Sequence, residues 1–162
     1  MKSQVLIVMG SDSDLPVMEG AEEILKQFGI SYQTTVSSAH RSPERTIRIA
    51  SEAEGNDIQV IIAGAGMAAH LAGIIAAHTI LPVIGVPINS SPLNGLDSLL
   101  STVQMPPGVP VATMAIGKPG AKNAAILAAQ IIGRKTPAVA RKLKAYKKAL
   151  AAEVGNKAKS LI

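Results

Sequence analysis

The chain has 162 residues, a formal net charge of +5 and no cysteine. This length suits one domain with one substantial core, and the lack of cysteine excludes a disulfide framework, a cysteine-ligated zinc site and a thiol nucleophile. Aromatic residues make up only 2% of the chain. The core must therefore be aliphatic, and single-stranded nucleic acid, which usually stacks on aromatic rings, is not an expected ligand.

Charge is distributed unevenly along the chain. Residues 134–162 hold nine Lys or Arg and one acid, whereas residues 1–133 hold seven Lys or Arg and ten Asp or Glu. The basic end predicts a solvated helix face rather than a contact with RNA or a membrane. From residue 58 to residue 117 the only formally charged residue is Asp97. Glycine and proline interrupt this stretch too often for a membrane helix of about 18 residues, so it predicts a buried parallel sheet and a subunit interface.

Short β-branched runs alternate with helical patterns along the chain, which is typical of parallel βαβ units. In chain order the predicted elements are strand Gln4–Met9, helix Pro16–Phe28, strand Ser31–Val36, a helix from Ser42 to near Gly55, strand Gln59–Ala63, helix Ala68–Ala77, strand Pro82–Val86, helix Leu96–Leu100, strand Pro110–Ala115, helix Asn123–Ile132 and a basic helix at about 136–155. Asp14 and Ser42 are the expected caps of the first two helices.

These elements predict an α/β fold, a three-layer sandwich with a doubly wound parallel sheet of flavodoxin or Rossmann type. We expect a single domain over residues 1–162, with its core at about 4–133 and a C-terminal helical extension. The N-terminus lacks the apolar region of a signal peptide, and a reducing cytoplasm is the expected compartment.

Three polar or glycine-rich turns follow the first three predicted strands. They contain Gly10-Ser11-Asp12-Ser13-Asp14, Ser38-Ala39-His40-Arg41 and Gly64-Ala65-Gly66-Met67-Ala68-Ala69-His70. Turns at the carboxyl ends of parallel strands meet at one edge of the sheet, so these predict one pocket. In the first turn, the serine hydroxyls suit a phosphate near a helix N-terminus, and the Asp14 carboxylate suits ribose hydroxyls.

The third turn also matches the glycine spacing of the dinucleotide fingerprint. A dinucleotide-dependent oxidoreductase is therefore one alternative, although the fingerprint expects an acid about 20 residues later, and none occurs between Asp57 and Asp97. A non-catalytic nucleotide- or RNA-binding module that uses the basic tail is another alternative.

His40 is the candidate proton donor and acceptor, because it combines a strand end, the adjacent Arg41 cation and flanking hydroxyls. Imidazole can donate and recover a proton near neutral pH. His70 is expected at the pocket rim, and His78 is expected to be structural. Neither a metal-ligand spacing nor a Gly-x-Ser-x-Gly nucleophile elbow occurs in the sequence, so no metal and no cofactor is expected. Proton transfer on a phosphorylated small molecule remains.

Several longer motifs together resemble the PurE family of purine biosynthesis, in its N5-carboxyaminoimidazole ribonucleotide mutase branch. They are Gly10-Ser11-x-Ser13-Asp14, Ser38-Ala39-His40-Arg41, Gly64-Ala65-Gly66-x-Ala68-Ala69-His70-Leu71, Pro82-Val83-x-Gly85-Val86-Pro87, Asp97-Ser98-Leu99-Leu100-Ser101-x-Val103-Gln104-Met105-Pro106 and Gly108-Val109-Pro110-Val111-Ala112-Thr113. They fall in the family's order and cover about residues 4–133, with little of the resemblance in the tail.

The resemblance implies an isomerase that moves a carboxyl group from the exocyclic nitrogen of its nucleotide substrate to the neighbouring ring carbon, without ATP, metal or biotin. It implies that His40 is the general acid and base. Arg41 and Ser13 would bind the phosphate, and Asp14 the ribose. The other implied substrate ligands are Ser11, Ser38, Gly64, Ala65, Gly66, Met67, His70 and Leu71. The family's octamers imply a homo-octamer. The alternative within the family is direct carboxylation of aminoimidazole ribonucleotide by carbon dioxide.

The chain departs from the family pattern at Met67, where glycine is usual, and at Ala72, where proline is usual. Met67 adds a side chain to the turn that is implied to bind the carboxylate. We expect it to alter the shape of that part of the pocket.

Overall fold

The computed structural model describes residues 3–160, which form a parallel sheet with helices packed on both faces. The strands are β1 (Val5–Met9), β2 (Tyr32–Val36), β3 (Val60–Gly66), β4 (Val83–Ile88) and β5 (Ala112–Thr113). The helices are α1 (Leu15–Phe28), α2 (Pro43–Glu52), α3 (Leu71–Ala77), α4 (Leu96–Val103), α5 (Lys118–Gly133) and α6 (Pro137–Lys159), and short 3-10 turns cover Asp12–Asp14 and Glu54–Asn56.

The strand order is β2-β1-β3-β4-β5, and every neighbouring pair is parallel. This confirms the predicted doubly wound sheet. The order reverses between β1 and β3, where Met9 pairs with Gly64 at the carboxyl ends of the two strands. The chain leaves these two ends in opposite directions, so a crevice opens between their turns.

The central strands are buried on both faces, which explains why they read as continuous apolar runs. Alternate residues of β1 belong to two different cores: Val5, Ile7 and Met9 face one helix layer, and Leu6 and Val8 face the other. The first core includes α1, α5 and the start of α6, and the second includes α2 and α3. On α5 the fully buried positions are mostly alanine, namely Ala121, Ala124, Ala125, Ala128 and Ala129.

Several predicted boundaries differ from the structure. The fifth strand pairs only over Ala112–Thr113, and Pro110 at its predicted start has no N–H group to donate to a strand ladder. Helix α3 begins at Leu71 rather than Ala68, since the residues before it form the third turn. Helix α5 begins at Lys118, five residues before the predicted start at Asn123, with a proline in its first turn, where proline is tolerated.

Asp14 and Ser42 occupy the N-cap positions of α1 and α2, as predicted, but they do not cap through their side chains. The Asp14 carboxylate instead accepts the backbone N–H of Ser11 at 3.0 Å. The Ser42 hydroxyl donates to the backbone carbonyl of Ser38 at 3.1 Å. Both side chains therefore stabilise the turns of the predicted pocket.

The basic helix α6 is partly integrated into the body of the protein. Val139 is buried in the first core, and Leu143 and Tyr146 pack against it. Lys142 Nζ donates to the backbone carbonyl of Phe28 at 2.9 Å. From residue 147 to residue 160 every residue is exposed. No helix within residues 3–160 has the length and apolar character needed to cross a membrane.

Candidate active site

A pocket of about 580 Å³ lies at the carboxyl ends of the strands, over the crevice between β1 and β3. The three predicted turns all contribute to it, and a residue that follows β4 joins them. Its lining consists of Gly10, Ser11, Ser13, Asp14, Ser38, Ala39, His40, Arg41, Ala65, Gly66, Met67, Ala68, His70, Leu71 and Ser90.

The first turn is held together by its own polar side chains. Ser11 Oγ accepts the backbone N–H of Ser13 at 3.3 Å, while the Asp14 carboxylate accepts the N–H of Ser11. The Ser13 hydroxyl donates to Ser11 Oγ at 2.9 Å. These reciprocal bonds form a capping box. They fix two hydroxyls and a carboxylate at the pocket before any ligand binds.

Asp14 is an unusual component of this turn, since only 4% of its surface is exposed. Burial raises the pKa of the Asp14 carboxyl above its ordinary value, and the backbone hydrogen bond from Ser11 opposes that rise. A carboxylate that is buried at the edge of a pocket costs stability, and such groups are common at functional sites.

The second turn carries His40 and is fixed to α2. A buried hydrogen bond of 2.8 Å joins the hydroxyls of Ser37 and Thr46. Ser38 Oγ accepts the backbone N–H of Arg41 at 3.2 Å and lies 3.4 Å from its Nε. The turn therefore holds the His40 imidazole and the Arg41 guanidinium at neighbouring positions on the pocket wall.

His40 and His70 are in direct contact across the pocket. His40 Nε2 lies 2.7 Å from His70 Nδ1. The ring centroids are 4.7 Å apart with an interplanar angle of 69°. Because one nitrogen of such a bond must donate and the other must accept, the two rings hold it only when one of these nitrogens is without a hydrogen. The contact therefore holds the two imidazoles in fixed positions relative to each other.

The third turn has few polar side chains, and its shape depends on close packing. A side chain on Gly64 would meet Met18, and the Gly64 carbonyl accepts the N–H of Gly10 at 3.0 Å. A Cβ atom on Gly66 would overlap the hydroxyl of Ser90. Met67 has a φ of 54°, in the left-handed region that non-glycine residues seldom adopt.

The comparison with protein families decides which family the chain belongs to. A family model described as AIR carboxylase matches residues 4–153. The chain belongs to the AIR carboxylase family. This match confirms the predicted family and extends beyond the expected 4–133, because it includes most of α6.

Relatives and a solved structure agree with this membership in the AIR carboxylase family. A protein of Thermotoga maritima named N5-carboxyaminoimidazole ribonucleotide mutase is 61% identical over 158 residues, which cover 98% of this chain and 91% of that protein. One of the same name in Escherichia coli is 51% identical over 152 residues, or 94% and 90% of the two chains. The crystal structure of Treponema denticola PurE has a TM-score of 0.88 at 30% identity and covers 97% of each chain. The chain is an isomerase with a role in purine biosynthesis.

Most of the residues predicted for the site of this AIR carboxylase family member line the pocket. Gly64 does not; it lies within β3, below the pocket lining. His78 also lies elsewhere, with Nδ1 2.9 Å from the backbone carbonyl of Ile74 at the end of α3, which agrees with its predicted structural role. Within residues 3–160, no group of three or more His, Cys, Asp or Glu side chains is arranged to hold a metal ion.

Ser90 was not predicted as a site residue. It follows β4, which was expected to end at Val86 but continues through Pro87 to Ile88. The signal that could have found it is its position, because a polar residue just after the fourth parallel strand is expected at the same edge as the other turns. Its contact with Gly66 explains why the third turn has glycine there.

Proposed function

We propose that this protein catalyses the reversible conversion of N5-carboxyaminoimidazole ribonucleotide to 4-carboxyaminoimidazole ribonucleotide in de novo purine (IMP) biosynthesis, with His40 as the general acid and base. The observation that carries the proposal is the hydrogen bond between His40 and His70 inside a pocket whose opposite wall is the hydroxyl-rich first turn. Relatives that bear the mutase name, with at least 51% identity over most of the chain, support the same reaction.

The two sides of the pocket suit the two ends of such a substrate. Ser11 and Ser13 offer hydroxyls to the phosphate, and Arg41 adds a cation that can bind it with charge-assisted hydrogen bonds. The Asp14 carboxylate accepts from the ribose hydroxyls. The base and the migrating carboxyl group then lie against the third turn, near His40 and His70.

In the proposed reaction the bond between the exocyclic nitrogen and the carboxyl carbon breaks. The nitrogen takes a proton from His40, and carbon dioxide and aminoimidazole ribonucleotide are formed together in the pocket. The ring carbon then attacks the carbon dioxide and loses its own proton, which returns to His40. His70 orients the His40 ring through their hydrogen bond. Keeping both fragments in one site supplies the proximity that free carbon dioxide lacks.

The test compares two assays on the same enzyme: conversion of N5-carboxyaminoimidazole ribonucleotide, and carboxylation of aminoimidazole ribonucleotide at high bicarbonate. We expect efficient turnover in the first assay. His40→Asn should keep the fold and substrate binding while kcat falls by about a thousandfold, since proton transfer by one side chain typically contributes 10²- to 10⁴-fold.

His78→Asn is the matched control, because His78 lies outside the pocket lining and its ring hydrogen-bonds to the carbonyl of Ile74 in the preceding helix, and it should retain full activity. Retained isomerisation by His40→Asn would remove the role given to His40. Turnover of aminoimidazole ribonucleotide with bicarbonate, without isomerisation of the N5-carboxy compound, would instead support the carboxylase alternative.

We also propose that the protein is a homo-oligomer, an octamer by analogy with its family, and that α4 lies in a subunit interface. The apolar residues Leu96, Leu100 and Val103 share one face of α4 and are 53%, 50% and 49% exposed. The buried face carries Ser98 and Thr102, whose hydroxyls donate to backbone carbonyls. A helix with its apolar side outward is typical of a surface that another subunit covers.

Light scattering tests the assembly. Leu100→Lys should convert the octamer to a smaller species, because it places a charge in an apolar contact. The comparison variant is Ile47→Lys, which places the same charge at an exposed apolar residue on a different helix, α2. An unchanged mass for Leu100→Lys would remove α4 from the interface.

We further propose a cytoplasmic protein without a nucleic-acid or membrane partner. Lys147→Glu combined with Lys148→Glu reverses charge on the exposed part of α6 and should leave turnover unchanged. Salt-sensitive RNA binding that this double variant loses would favour the binding-module alternative.

A further inference from the structure

Met67 combines a strained backbone with an exposed apolar side chain. Its φ of 54° lies in the left-handed region, which is sterically unfavourable for residues that have a Cβ atom. Within residues 3–160 the other non-glycine residues with positive φ are Asp57 and Asn94, and these residue types adopt it more readily. The Met67 side chain is 58% exposed. Packing within the chain therefore does not explain why a methionine occupies this strained position.

The position of Met67 gives this strain a functional meaning. Met67 lines the pocket three residues before His70, and its neighbours Gly66 and Ala68 in the same lining are small. Leu71, the other large apolar residue of the lining, is only 2% exposed. The third turn therefore presents one long apolar side chain to the space beside the histidine pair. Strained residues concentrate at such sites when the geometry serves the mechanism.

We propose that the Met67 side chain covers the reacting end of the bound substrate and retains carbon dioxide until the ring carbon captures it. This inference rests on the proposed isomerisation. Carbon dioxide is neutral and offers no charge for a cation to hold, so its escape competes directly with the second step. Escape would leave aminoimidazole ribonucleotide and carbon dioxide as products, with the proton from His40 on the exocyclic nitrogen. A flexible thioether suits a cover that must open for substrate and close over it.

Three variants separate the side chain from the backbone. Met67→Ala removes the cover and keeps a Cβ in the left-handed region. Met67→Leu retains an apolar cover on the same backbone. Met67→Gly removes the cover and the strain together. Each enzyme is given N5-carboxyaminoimidazole ribonucleotide, and the ratio of aminoimidazole ribonucleotide to 4-carboxyaminoimidazole ribonucleotide is measured by chromatography after subtraction of an enzyme-free blank.

The ratio should rise about fivefold in Met67→Ala and in Met67→Gly, because an open site no longer retains the intermediate. Met67→Leu should stay within about twofold of the unsubstituted enzyme. The melting temperature of Met67→Gly should exceed that of Met67→Ala by about 2 °C, since glycine adopts a positive φ without a steric penalty. Asn94→Gly controls for relief of strain: it should leave the product ratio unchanged.

An unchanged ratio in Met67→Ala would overturn the inference. A rise in Met67→Gly alone would do the same, because it would assign the effect to the backbone and not to the side chain. Both results require an unsubstituted enzyme that forms 4-carboxyaminoimidazole ribonucleotide. If that enzyme formed none, the proposed reaction itself would fail.

Discussion

The first and third turns lie on the two sides of one crevice and are built in opposite ways. The first turn fixes itself, because Ser13 and Asp14 are both hydrogen-bonded to Ser11. The third turn lacks such bonds between its side chains and takes its shape from neighbours, including Ser90 against Gly66. The first turn is thus a rigid set of polar groups, whereas the third presents its backbone, an imidazole and an apolar side chain.

This difference suggests a division of labour. A prearranged set of hydroxyls binds the part of the substrate that does not change, and such binding lowers KM. The third turn, with few competing polar groups, suits the part of the substrate where bonds are made and broken. Substitutions in that turn should therefore change kcat. The two turns should therefore respond differently to substitution.

The largest effect outside His40 is expected at the third turn. His70→Leu removes the hydrogen bond that orients His40 and should lower kcat by about tenfold to a hundredfold, because small misplacements of a catalytic group are costly. KM should change by less than about threefold. Steady-state kinetics check this, with His78→Leu as the control outside the pocket. A rise in KM without a loss of kcat would mean that both turns serve binding alone.

An intermediate effect is expected at the first turn. Ser11→Ala removes one hydroxyl from the phosphate side and one half of the capping box, so KM should rise by about tenfold, in line with a hydrogen bond to a charged group. Little change in kcat is expected. Ser91→Ala, in the loop after β4 and outside the pocket lining, is the comparison. A fall in kcat at constant KM would contradict the division between the turns.

The smallest effect concerns stability at Asp14. The raised pKa means that the folded protein favours the neutral carboxyl, so the stability this group contributes is complete below its unfolded pKa of about 3.9 and is lost as pH rises through the folded pKa. The Asp14→Asn side chain does not ionise, so this variant does not lose that stability as the pH rises. Its melting temperature should exceed that of the unsubstituted protein by about 2 °C at pH 7.

That gap should close in acid, below about pH 4, where both side chains are neutral. Thermal melts at several pH values measure it. A gap that widens towards acid would reverse the sign of the argument. The same variant should bind substrate less well, because the ribose loses its carboxylate partner.

The doubly wound parallel sheet and the turns that form the pocket could be predicted from the sequence, because buried parallel strands have continuous apolar runs and their turns must meet at one edge. The contact between His40 and His70 could not. The two residues are 30 positions apart, and their separation depends on the conformations of two turns that no periodicity describes.

Ser90 shows a second limit of the sequence pattern. Proline usually ends a strand or marks an edge, so Pro87 suggested that β4 was complete, yet Pro87 pairs in register with Ala65 inside the sheet. The strand therefore delivers Ser90 to the pocket rim. Met67 shows the reverse case, because the sequence identified the unusual residue but its positive φ depends on the fold.

The bond from Lys142 to the carbonyl of Phe28 gives helix α1 a cationic partner at its C-terminal end. The N-terminal end of α1 follows the proposed phosphate turn, and its C-terminal end receives an ammonium group from α6; both charges match the helix dipole. Truncation of the chain after Gly133 would remove Lys142 and would therefore also disturb α1, the helix that begins at the pocket. A deletion starting at Lys147 would spare this link, because the residues described beyond that point are all exposed.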